Sequence, residues 1–170
     1  MGGIAPWTAP PAWERLLIRG GTTSIGFAAA AIARAHGAQV GATSRQSSSA
    51  ALIRASGADK VLELVGTATL ADSLAAVREP GLVCMAGMVG DRWSFAEIAP
   101  MDVIPTGVSL TTYSGGVADF LAMPLQELID RVADGRLPVA AARVFRLDGI
   151  VEAHRLMESN QAGGKIVVLC

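Results

Sequence analysis

Metal-binding and charged residues are scarce in this chain. Two cysteines and two histidines stand among 170 residues. Cys84 and Cys170 have neither metal nor redox spacing, and His36 and His154 are far apart, so no metal ligand set can be read. Two inert thiols in a reducing compartment are the expectation, which places the chain in the cytoplasm. Charged residues make up 17% of the sequence, against about 25% in typical domains. The net charge is −1 and no basic run occurs, which excludes a nucleic-acid partner, since that affinity rests on clustered Lys and Arg. No apolar run reaches the roughly 18 residues of a membrane span, and the start lacks the basic and apolar regions of a signal peptide. A membrane partner is therefore not expected. There is no Gly-x-Ser-x-Gly elbow and no clustered carboxylate pair, so hydrolysis has no visible machinery.

Apolar residues are abundant, at 51% with a mean hydropathy of +0.43. That excess implies a large core and some surface meant for a partner. Residues 1–14 are proline-punctuated and read as an irregular lead-in. Beyond them, residues 15–170 read as one domain. Apolar segments at residues 16–19, 39–43, 60–65, 82–86, 108–113 and 165–169 predict strands. Helices are predicted at residues 24–35, 44–56 and 67–78, on the stripe Leu125, Leu128, Ile129 and Val132, and after a cap at Asp148. This alternation indicates an α/β fold, a doubly wound, mostly parallel, Rossmann-like sheet of about six strands with helices on both faces.

The stretch "RLLIRGGTTSIGFAAAAIA" runs a short strand through a small-residue turn into an alanine-rich helix. Amide N–H groups at a helix start favour an anion. In a dinucleotide turn one glycine makes the bend, one admits the diphosphate and one allows close helix–strand packing. Gly20 and Gly21 can bend the chain and Gly26 can pack. Thr23 replaces the middle glycine, and its hydroxyl can donate to a phosphate oxygen. At the end of the second strand, Thr43, Ser44 and Arg45 stand where an NAD site has an acid. Hydroxyls and a guanidinium suit a 2′-phosphate, so the expected cofactor is NADP(H).

Together with "LIRASGAD", "KVLELVG", "GLVCMAGMVG" and "FRLDGIVEAHRLMESNQAGGKIVV", this stretch resembles the medium-chain dehydrogenase/reductase superfamily, and most of all its zinc-free quinone oxidoreductase branch. The resemblance implies a Rossmann domain that binds NADPH, and hydride transfer to a quinone, enone, aldehyde or ketone acceptor. Its phosphate loop is Gly21, Thr22, Thr23, Ser24, Ile25 and Gly26, and its 2′-phosphate region Ser44 and Arg45. Val65, Gly66, Ala86 and Gly87 would lie beside ribose and nicotinamide. Ser49 stands where a phosphate-binding lysine often occurs. The family's GroES-like domain is not found in this chain, and a strand–helix unit is missing after Asp59. The strand at residues 60–65 therefore has two places open to it: the family's third, outermost place, or its fourth, beside the first strand. In the outer place, Gly66 could not reach nicotinamide.

No proton donor stands out. His36, His154, Tyr113, Asp72, Asp130 and Glu152 all read as ordinary surface, cap or sheet residues. Two functions stay open: an NADPH-dependent oxidoreductase or its cofactor domain, and a catalytically inactive dinucleotide-binding or dimerisation module. A homodimer through the edge strand from Val108 to Tyr113 is expected.

Overall fold

A computed structural model describes residues 14–44, 57–90, 92, 94–139, 141–159 and 161–170. Strand β1 (Arg15–Arg19) carries three consecutive buried apolar residues, Leu16, Leu17 and Ile18. Such a run suits a strand covered on both faces, as parallel sheets require. Helix α1 (Ser24–Ala35) leads to β2 (Gln39–Thr43), which pairs with one side of β1. On the other side of β1 lies β3 (Ala58–Glu63), followed by α2 (Thr67–Ala75) and β4 (Val77–Met85). A short α3 (Pro100–Val103) precedes β5 (Val108–Thr112). The sheet order is β2-β1-β3-β4-β5, and every pairing is parallel.

Strand alternation divides the core in two. Leu17, Val61 and Val83 pack with Leu70 and Leu74 of α2. Leu16, Ile18 and Leu64 pack with Ala30 and Ala33 of α1. The small alanines let α1 sit close to the sheet while keeping a strong helix propensity. Ile18, Leu74, Val61 and Val83 are wholly buried, each contributing about 1.5–3 kcal/mol relative to exposure.

The doubly wound sheet with helices on both faces thus forms as the sequence predicts, and several details differ. Of the two places open to the segment at residues 60–65, it takes the inner one beside β1. The segment at residues 165–169 does not close this sheet, which has five strands. After α4 (Val117–Leu121) and α5 (Leu125–Ala133), β6 (Ala141–Arg146) pairs with β7 (Lys165–Leu169) in a separate parallel sheet. Helix α6 (Ile150–Glu158) connects them, and Asp148 does not cap it: Asp148 lies in a 3-10 turn, and Gly149 holds the cap position without a side-chain bond. Val77, expected on a helix, pairs with Ala58 instead and is buried there in the core cluster of Leu74 and Val108. Of the helix expected at residues 44–56 and the lead-in expected at residues 1–14, all but Ser44 and Glu14 lie outside the described residues.

Candidate functional site

From β1 the chain travels one way to β2 and then returns past β1 to β3, so strand order reverses between β1 and β3. At such a reversal the loops leaving the carboxyl ends diverge and leave a crevice, the usual ligand position in open α/β sheets. The loop at residues 20–23 forms one side, and the loops at residues 64–66 and 86–90 form the other. Hydrogen bonds knit these loops together: Leu64 N–H donates to Arg19 O (3.2 Å), Ala86 N–H to Glu63 O (2.9 Å) and Gly90 N–H to Val65 O (2.8 Å). Gly21 N–H donates to Thr43 O (2.8 Å), which brings Ser44 to the edge of the same crevice.

The start of α1 is only partly capped. Thr23 Oγ1 accepts from Gly26 N–H (3.0 Å) and donates to Gly20 O (2.8 Å). Its hydrogen is therefore engaged within the loop, and Thr23 shapes the bend. The amides of Thr22, Ser24 and Ile25 have no acceptor among the described residues. All three residues are exposed, and no acid stands in the first turn. Three N–H groups at the positive end of α1, all on exposed residues, are thus left without a protein acceptor among the described residues. Gly26 plays its expected packing role: a Cβ there would lie 2.5 Å from Gly20 O and 2.7 Å from Gly21 Cα.

Across the crevice the arrangement is the reverse, because the protein fills the start of α2 with its own anion. Glu63 is wholly buried. Its Oε1 accepts from Val65 N–H (2.8 Å), Gly66 N–H (3.1 Å) and Thr69 Oγ1 (3.0 Å), and its Oε2 accepts from Ser73 Oγ. Gly66, at φ +111°, turns the chain in a conformation that disfavours any side chain. Arg19 stands opposite Glu63 in register at the last position of β1. Only 3% of Arg19 is exposed, yet its Nε and Nη1 have no hydrogen-bond partner among the described residues.

Of the residues singled out from the sequence, Gly21, Thr22, Thr23, Ser24, Ile25 and Gly26 meet Val65, Gly66, Ala86 and Gly87 around one crevice, with Ser44 at its margin. Arg45 and Ser49 lie outside the described residues. His36 is the C-cap residue of α1, and His154 is exposed on α6. Asp130 accepts from Gln126, and Glu152 pairs with Arg155. Tyr113 lines an open hollow of about 620 Å³ beyond β5, with Val117 and Phe120 among its neighbours. Cys84 is buried, and burial pushes its thiol pKa up. Sequence reading missed Arg19 and Glu63. The available signal was a charged residue closing each of two apolar central-strand runs, "LLIR" and "VLE".

A family model described as zinc-binding dehydrogenase matches residues 36–168. Among the described residues no group of three His, Cys, Asp or Glu could hold a metal ion. No curated protein matches. Among solved structures, the Escherichia coli quinone oxidoreductase complexed with NADPH is 18% identical with a TM-score of 0.76, over 96% of this chain and 59% of that one. The CurK enoyl reductase is 25% identical with a TM-score of 0.70, over 95% of this chain and 55% of that one. A 2-haloacrylate reductase is 22% identical with a TM-score of 0.72, over 96% and 59%. This chain spans less than two thirds of the length of each.

Proposed function

The chain belongs to the zinc-binding dehydrogenase family, and from that premise we propose that it binds NADP(H) at the β1–β3 crevice as the cofactor-holding part of an oxidoreductase. The observation that carries this reading is the set of three unpartnered amides, Thr22, Ser24 and Ile25, at the open start of α1. They fit a diphosphate, and Gly26 lets the start of α1 pack tightly against the Gly20–Gly21 bend that positions them. Ser44 and Arg45 are assigned to the 2′-phosphate, and Val65, Gly66, Ala86 and Gly87 to the ribose and nicotinamide side. Bound NADPH supplies a hydride; the chain's own residues hold and orient it. The acceptor class is a quinone, enone, aldehyde or ketone, by likeness to the NADPH-bound quinone oxidoreductase and the enoyl and haloacrylate reductases. The working form is a cytoplasmic homodimer joined through β5, which has one unpaired side in the sheet. No helix among the described residues is long and apolar enough to cross a membrane.

A second reading, a dinucleotide-binding module without turnover, is favoured by one observation: the carboxyl group at the crevice, Glu63, is fully engaged by four donors and is not free to supply a proton. NADPH titration followed by an oxidation assay with a simple quinone separates the two. Binding with turnover supports the enzyme, and binding alone supports the module. Arg45→Ala is expected to weaken NADPH about tenfold and NADH little; equal losses refute the 2′-phosphate assignment.

A further inference from the structure

A buried guanidinium with unpartnered nitrogens is costly, because the charge has left water without gaining an acceptor. Native structures seldom keep such a group without a reason, and an absent ion is one of the few reasons available. Arg19 is such a group, and its surroundings narrow the choice. The carboxylate facing it in register, Glu63, is occupied by four donors from the loop after β3 and from α2. Glu63 therefore stays with α2, and Arg19 keeps Nε and Nη1 without an acceptor. The next residues are Gly20 and Gly21, the bend of the phosphate loop, so Arg19 ends the strand that leads into that loop, three residues before Thr22, the first of the open amides.

We infer that Arg19, at the carboxyl end of β1, is an anion-binding residue of this site, contributing its charge to the cofactor's diphosphate. The inference rests on the NADP(H) reading. It adds a side-chain cation where dinucleotide turns rely on backbone donors, and it accounts for a buried arginine closing the apolar run of β1. The diphosphate is common to both nicotinamide cofactors, so Arg19 acts on NADPH and NADH alike. Arg45, assigned to the 2′-phosphate, distinguishes them.

The test compares the full chain with Arg19→Met and Arg19→Lys by calorimetric titration with NADPH and with NADH, alongside thermal melting without ligand. Arg19→Met should weaken both cofactors about tenfold or more, the scale of a lost charge-assisted hydrogen bond. Its ligand-free melting temperature should hold or rise, because an apolar side chain of similar length replaces an uncompensated charge. Arg19→Lys should recover most of the affinity. Three results would overturn the inference: Arg19→Met binding within twofold of wild type, a loss confined to NADPH, or a fall in the ligand-free melting temperature, which would mark Arg19 as a structural residue. Arg19→Lys binding as weakly as Arg19→Met would also contradict it. A wild-type chain that binds neither cofactor would instead remove the cofactor reading itself, and this inference with it.

Discussion

Thr23 illustrates how one side chain changes a familiar turn while preserving its use. Its hydroxyl bonds Gly20 O and Gly26 N–H, fixing the bend that a glycine would have left free and taking one helix amide out of play. Thr23→Ala should cost about 1 kcal/mol of stability in urea denaturation, as expected for a lost N-cap. Cys84 offers a second residue-level check, because burial raises its pKa above the ordinary value of 9.0. As pH climbs past 9.0, the unfolded chain gives up this proton while the folded chain retains it, so stability falls with rising pH. Cys84→Ala should lose less stability than wild type across that alkaline range, measured by denaturation at stepped pH. Both of these residues could be picked out in the sequence, but their partners could not. Which atom takes the Thr23 hydrogen depends on the loop's path in three dimensions, and the pattern of residue types does not encode it.

Elements lock together at the crevice by close approach on one side and by a buried anion on the other. Gly26→Ala would place a Cβ against two backbone atoms that cannot rotate away. It should cost about 3 kcal/mol and reduce cofactor binding, because α1 must withdraw from β1. Glu63 supports a contrast between two substitutions. Glu63→Gln keeps one carbonyl oxygen for the amides, and Ser73 can accept from the new amide group, so the loss should be about 1 kcal/mol. Glu63→Met takes the carboxylate acceptor from four donors, those of Gly66 and Ser73 buried and those of Val65 and Thr69 part-buried, and should cost about 3 kcal/mol. Urea midpoints of the two variants check this order, and equal midpoints would mean that the network contributes little. The strands and the first helix were legible because apolar runs ending in glycine are strong signals. The Val77 assignment failed because "LAAVREP" has helical spacing, and only pairing with Ala58 reveals it as strand. β6 went unread because its short alternation precedes a turn with no glycine-rich or proline break.

For the whole molecule, the sheet order was only half legible. Residues 58–63 are apolar enough for either an outer or an inner place, and the choice depends on packing against β1 and β4 that no local pattern records. The inner place decides the site, since it puts Gly66 across from the phosphate loop. The exposed β5 edge carries a further prediction: the chain should sediment at twice 17.5 kDa, and Thr111→Lys should return it to monomer by charging the pairing edge. A wild-type monomer at high concentration would remove the dimer. The central claim concerns the start of α1, and amide-resolved NMR of the 17.5 kDa chain titrated with NADPH tests it most directly. The backbone amides of Thr22, Ser24 and Ile25 should shift together and saturate, while Gly26, already bonded to Thr23, shifts less. Saturable NADPH binding that leaves those three amides unmoved, or no binding at all, would contradict it.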